Sequence, residues 1–181
     1  GKTTILNLIM GFYKINSGNI LFDGKNMSDI SLESIRKNIS FIQQNPYIFN
    51  DTIKRNITVN EDNDINEEKI IDILKQTHLY DKVMSFKNGI YEKIKENTFS
   101  LGEKQLLAFA RAIAKETSIY IFDEPTSNID IESELQLKKV IDNLSKDSTV
   151  IIIAHRPATI ENVDKVLKVE NGKVTQLETQ K

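Results

Sequence analysis

The chain begins Gly1-Lys2-Thr3-Thr4, directly before apolar positions at Ile5, Leu8, Ile9 and Phe12 with helical spacing. A glycine, a lysine and a hydroxyl residue at a helix start form the second half of a phosphate-binding loop. In such a loop, backbone N–H groups cradle the anion, the ammonium neutralises it, and the hydroxyl can bind Mg²⁺. The positive end of the helix points at the same anion. A glycine before any helix would read alike, so the tetrapeptide needs a partner elsewhere. "SIYIFDE" supplies one. It is a short apolar run that ends in Asp123 and Glu124. An aspartate at such a strand end can hold Mg²⁺ opposite the hydroxyl, and the adjacent glutamate can polarise an attacking water as general base. The plain alternative is a strand ending in a solvated acidic turn.

Three further positions carry chemistry. In "FSLGEKQLLAFARAIA", Ser100 and Glu103 have capping-box spacing ahead of an apolar-periodic helix. A capped helix start with Gly102 exposed is also a phosphate-binding surface, and the pattern does not choose between the two. His155 ends a second apolar run, "STVIIIAH". It is either a core-edge histidine or a group that contacts phosphate near neutral pH. Gln44 follows a strand pattern, and its amide could ligate Mg²⁺ or serve only structure. His78 has no obvious partner and reads as structural.

The elements that must position these residues form an α/β pattern. "INSGNILFDGKN" places a short strand between two glycine turns. "SLESIRKNISFIQQ" reads as a short helix and a strand ending near Gln43. Residues 45–115 are helical and polar, with Ile70, Ile71, Leu74 and Leu79 on one side of a first stretch. Leu106, Phe109, Ala110 and Ile113 line a second. Runs 118–124 and 148–155 read as strands buried on both faces, separated by the helix "IESELQLKKVIDNL". Strand, helix, strand implies a parallel crossover. "DKVLKVENGKVTQLE" reads as a hairpin turning at Asn171-Gly172. The expected organisation is one domain: an α/β core from 1–44 and 116–181, with a helical insert at 45–115. Ligands of open parallel sheets sit at the carboxyl ends of strands, where Gln44, Asp123, Glu124 and His155 fall.

Composition narrows the classes. The 181 residues suit one domain with a real core. With 24 basic against 26 acidic residues, no basic excess recommends a nucleic-acid partner. There is no cysteine, hence no disulfide partner and no thiol chemistry. The longest apolar run falls far short of the roughly 20 residues of a membrane span.

In order and spacing these motifs resemble the nucleotide-binding domain of ATP-binding cassette (ABC) transporters, a P-loop NTPase of RecA-like fold. "GKTT" resembles the end of Walker A, "IQQNP" the Q-loop, and "FSLGEKQ" the Leu-Ser-Gly-Gly-Gln signature. "IYIFDEP" resembles Walker B, "SNID" (127–130) the D-loop, and "IIIAHR" the switch histidine. The stretch "SLESIRKNISFIQQNPYIFNDTIKRNI" is similar to the exporter branch, in which each ATPase domain is fused to membrane helices. The resemblance implies that Gly1, Lys2, Thr3 and Thr4 hold the ATP phosphates. Thr3, Gln44 and Asp123 would set Mg²⁺, Glu124 would activate water, and His155 would hold the γ-phosphate. Ser100, Leu101, Gly102, Glu103 and Asp130 would complete the ATP site of a second, identical domain in a head-to-tail dimer. Residues 45–57 would meet the membrane domain, at the cytoplasmic face of the cell membrane. The implied function is ATP hydrolysis that powers export of a peptide, lipid or drug. A soluble ABC protein and a binding-only ATP module are the alternatives.

The chain departs from the family pattern in three ways. Leu101 and Glu103 replace a signature glycine and glutamine. "IKENTFS" is about two residues short, which puts the usual interdomain contact there in question. The chain also opens inside Walker A and without Met, so the preceding strands, glycines and adenine-stacking aromatic are expected upstream. A fragment without them is expected to bind ATP poorly.

Overall fold

The computed structural model describes residues 1–59, 65–126, 129–154 and 163–177. Helix α1 (Lys2–Ile9) comes first, followed by a hairpin of β1 (Leu21–Phe22) and β2 (Lys25–Asn26). The sequence reading has one strand here, and its partner was missed. The turn was legible: Asp23 and Gly24 have φ of 48° and 78°, the two left-handed residues that an Asp-Gly hairpin requires. Helix α2 (Leu32–Lys37) starts at Ser31, whose Oγ accepts the Ser34 N–H at 3.2 Å. Then come β3 (Ile39–Ile42), α3 (Ile53–Ile57), α4 (Glu67–Gln76), α5 (Tyr80–Met84) and α6 (Leu101–Lys115). The chain continues with β4 (Ile119–Asp123), α7 (Ile131–Leu144), β5 (Thr149–Ile153), β6 (Val166–Glu170) and β7 (Lys173–Leu177).

Strands β3, β4 and β5 form a parallel sheet in that order, with Ile39 opposite Ile119 and Asp123 opposite Ile153. β4 is central, and its Tyr120, Ile121 and Phe122 are buried as a two-faced strand requires. The same expectation fails for β5, where Val150, Ile151 and Ile152 are only half-buried. Among the described residues β5 pairs with β4 alone. Its other side faces an apolar cleft of about 870 Å³, lined in part by Ile131, Leu135, Val166 and Leu167. The terminal hairpin turns where expected, with Asn171 and Gly172 at φ 49° and 75°.

Two helical expectations shift. The buried stripe of α1 is Leu6 and Met10, which pack with Ile35, Ile39, Ile121 and Ile153. Phe12 lies beyond the helix and is exposed. The helix stops at Gly11, where φ is 68° and a Cβ would come within 2.4 Å of Leu32 Cδ2. The stretch from 67 to 84 is two helices, because His78 takes φ 56° and lets Leu79 N–H reach Leu74 C=O at 2.9 Å. That left-handed cap is the structural role of His78.

Helix α6 is the hub. Residues Gln105 to Ala110, Ala112 and Ala114 are buried, a wider face than the predicted stripe. On one side Phe109 meets Phe122 of β4 at 4.9 Å between ring centroids. The same apolar cluster takes in Ile53, Ile57, Ile70 and Leu74 from α3 and α4. Burying Phe109 and Leu107 contributes about 1.5–3 kcal/mol each. At the far end Lys115 Nζ donates to the carbonyls of Arg36 and Ile39, at 2.8 and 2.6 Å. The helix therefore binds to the sheet near the start of β3 and carries Ser100 at its other end.

Candidate active site

Four predicted residues converge at the carboxyl ends of β3 and β4. Thr3 Oγ1, in the first turn of α1, donates to Asp123 Oδ2 at 3.4 Å. Asp123 is the last residue of β4 and Glu124 follows it. Gln44, two residues beyond β3, donates its Nε2 to Glu124 Oε2 at 3.0 Å. Register explains the convergence. Parallel pairing brings the ends of β3 and β4 level, and α1 packs on the same sheet through Leu6 and Met10.

Glu124 is held under strain. Its φ is 51°, in the left-handed region that a non-glycine residue occupies at a cost of about 1–2 kcal/mol. Its N–H donates to Ile153 C=O at 3.0 Å, which ties this turn to β5. Strain of this kind persists where surrounding structure enforces it, and it clusters at working sites.

The N-terminus of α1 is bare. Gly1 is the cap residue, no side chain caps it, and the first turn has no acidic residue. Lys2 instead places an ammonium at the positive end of the helix, which is electrostatically unfavourable without an anion. Thr3 and Thr4 are exposed there. Gly1 lies under the hairpin, where a Cβ would sit 3.1 Å from Val169 Cγ1. Lys2 also borders the apolar cleft beside β5, but Asp123 and Glu124 do not line that cleft. This apolar cleft is therefore not where the chemistry collects.

The signature-like residues form a second set, at the start of α6. Ser100 Oγ accepts the Glu103 N–H at 3.2 Å, and Glu103 Oε2 accepts the Ser100 N–H at 2.7 Å, a complete capping box. Burial by itself would raise the Glu103 pKa. The hydrogen bonds from Ser100 and the charge of Lys82, 3.4 Å away, outweigh it and hold the carboxyl below its ordinary value. Leu101 is 45% exposed, an apolar side chain on open surface where the signature has glycine. Gly102 is half-buried. Asp130 caps α7, with Oδ1 accepting the Ser133 N–H at 2.9 Å and Oδ2 the Ser133 hydroxyl at 2.7 Å. His155 lies outside the described residues, as do Ser127 and Asn128 of the D-loop-like stretch.

Sequence reasoning missed Arg111, Asn56 and Glu96. Asn56 is fully buried, and Arg111 donates to its backbone and side chain. The available signal was a charge inside the apolar run "LLAFARAIA": a cation there requires a fixed set of acceptors. Glu96 sits in the shortened segment. It accepts from Lys104 Nζ and from the Ile48 backbone N–H, and the Lys104 bond lowers its pKa. The shortened segment thus still reaches the stretch after β3.

A parallel sheet, a bare helix start after Gly-Lys-Thr, and a carboxylate pair at the end of the central strand define a P-loop nucleotide-binding domain of ABC type. The chain belongs to the ABC transporter family, whose model, "ABC transporter", matches residues 1–127. It is 37% identical to an ATP-dependent lipid A-core flippase of Francisella novicida, across 97% of this chain and 30% of that protein. It is 40% identical to the multidrug resistance-like ATP-binding protein MdlB of Buchnera aphidicola, across 100% of this chain and 31% of the relative. Among solved structures it is similar to a bacterial Atm1-family ABC exporter with ATP bound. That match has a TM-score of 0.91 and 30% identity, and covers 97% of this chain and 31% of the other. The chain thus spans about a third of the length of the relatives it matches.

Proposed function

We propose that this chain is the ATPase domain of an ABC exporter, binding and hydrolysing ATP to drive a substrate across a membrane. The observation that carries the reading is the linked set Thr3, Asp123, Glu124 and Gln44 beside an uncapped, lysine-bearing helix start. The amides of α1 and the Lys2 ammonium would take the β- and γ-phosphates. Glu124 would accept the proton of the attacking water, with Gln44 Nε2 orienting its carboxylate. His155 would contact the γ-phosphate.

The donor set fits Mg²⁺. Thr3, Asp123 and the Gln44 amide offer hard oxygens, and no group of three or more His, Cys, Asp or Glu forms a cage among the described residues. Mg²⁺ is held in just this way, by one or two side chains plus substrate phosphates. Bound there, it would neutralise charge between the β- and γ-phosphates.

The same geometry supports a reading of the partners. Ser100, Leu101, Gly102 and Glu103 form a set distinct from the Thr3–Glu124 set, which supports a head-to-tail homodimer in which each α6 start, with Asp130, completes the other copy's site. Tyr47 and Phe49 are 65% and 40% exposed and meet edge to face at 5.2 Å. They support residues 45–57 as the contact with a membrane domain at the cytoplasmic face. No helix among the described residues is long and apolar enough to cross a membrane. Within this reading, 1–44 and 116–181 serve as the nucleotide-binding core and 45–115 as a helical subdomain. The described part of that stretch holds helices and no strand of the main sheet.

The test is Glu124→Gln in the full-length protein. Turnover should fall by about 10²-fold or more while ATP still binds. Unimpaired hydrolysis would sink the assignment.

A further inference from the structure

Beside apolar packing, the loop between β3 and α3 is tied to α6 chiefly through one side chain. Arg111 Nε donates to Asn56 C=O at 2.8 Å, and Nη1 and Nη2 each donate to Tyr47 C=O at 3.2 Å. Nη2 also lies 3.4 Å from Asn56 Oδ1, and the guanidinium stands 5.1 Å from the centre of the Phe49 ring. None of these partners is a carboxylate. The cation is spent on fixing backbone, in a site dry enough to lower its pKa. The loop is also closed on itself. Asn56 Oδ1 accepts the Phe49 N–H at 2.9 Å, and its Nδ2 donates to Phe49 C=O at 2.9 Å and Thr52 C=O at 3.0 Å. Residues 47–56 therefore behave as one unit, with Arg111 as its main polar attachment.

The other end of the link is Ser100. Arg111 lies eleven residues along α6, about 16 Å at 1.5 Å per residue. The helix between them is continuous, and buried from Gln105 to Ala110, so it moves as a rod. A second tie, Ile48 N–H to Glu96 to Lys104, joins the same loop to the first turn of α6. Glu96 is exposed, so this tie is the weaker one.

We infer that Arg111 is a positioning residue that locks the 47–57 loop to α6, so that a displacement of the loop is carried to Ser100 and Gly102. The inference rests on the proposed reading, in which that loop meets the membrane domain and Ser100 meets ATP. A planar fork reaches both Tyr47 and Asn56, whereas a lysine reaches one acceptor at a time. Substitution by lysine is therefore a graded version of the same lesion.

The experiment uses the full-length protein with Arg111→Met and Arg111→Lys, read by amide hydrogen exchange and by ATP turnover. With R111M, exchange in 48–58 should rise about tenfold while 67–76 stays unchanged. Maximal turnover should fall about tenfold, with KM for ATP within about twofold, because the nucleotide's own contacts are intact. R111K should restore part of both. Should R111M not fold, Phe49→Leu removes only the ring under the cation and should move both readouts the same way, about twofold. Unchanged loop exchange overturns the proposal. So does exchange raised equally throughout, or a loosened loop with normal turnover. Normal turnover in Glu124→Gln would instead overturn the ATPase reading and leave the exchange result standing.

Discussion

Two helix starts in this protein follow phosphate-type motifs, and they are built in opposite ways. At α1 the cap residue is a glycine, no side chain satisfies the first amides, and a lysine occupies the first turn. At α6 a serine and a glutamate exchange both bonds of a capping box, and Lys82 steadies the glutamate. The first is poor as an isolated helix end and good as an anion receptor. The second is stable without any ligand. The difference separates two roles. Under the proposed reading, α1 would keep its amides for phosphate, whereas Ser100 would lend a hydroxyl already engaged in holding its own helix.

The largest effect that distinguishes them belongs to α1. Lys2→Ala should weaken ATP binding by about a hundredfold, near 3 kcal/mol, with folding stability unchanged. Calorimetry giving equal affinities would dissolve the contrast. Next is Ser100→Asp in the full-length protein. Aspartate is as good a cap as serine, so urea midpoints should match, yet its charge against a phosphate should lower turnover about tenfold. Equal turnover would mean that Ser100 is only a cap. Ser100→Ala removes the cap itself and should destabilise by about 1 kcal/mol in urea unfolding; a null result would show the box to be ornamental.

The smallest effect concerns acid. The Glu103 carboxyl titrates lower in the folded chain than in the unfolded one. Its contribution is therefore complete above the ordinary glutamate pKa and is lost as pH falls through the folded value. Urea unfolding followed from about pH 6 to about pH 3 should show a decline that Glu103→Gln flattens, since glutamine still completes the box. Identical slopes would remove Glu103 from the account.

Much of this was legible from residues alone, for local reasons. The Asp23-Gly24 and Asn171-Gly172 turns, the Ser100/Glu103 box and the two-faced strand β4 depend on neighbours in sequence, and each was readable or openly signalled. What failed depended on distant surroundings. Strand β5 looked as buried as β4, but an apolar run does not say which of its sides will face a cleft. The α1 stripe moved from Ile5 and Phe12 to Leu6 and Met10 because Ile35, Ile121 and Ile153 set which face the sheet receives. Arg111 was signalled only as a charge inside an apolar run. Its partners were not legible, because they are mostly backbone carbonyls more than fifty residues away, and carbonyls leave no trace in side-chain type.

The sequence by itself determined the chemical inventory. A lysine and hydroxyl at a helix start, an Asp-Glu pair at a strand end and a serine-capped helix are fixed by residue type and short spacing. Only the tertiary structure decided which of them share a site. Parallel register levels the ends of β3 and β4, and core packing seats α1 on the same sheet. That arrangement puts Thr3 within 3.4 Å of Asp123 and Gln44 within 3.0 Å of Glu124, across 120 and 80 residues. Contacts at that separation are settled by burial of the whole core, which no local pattern encodes.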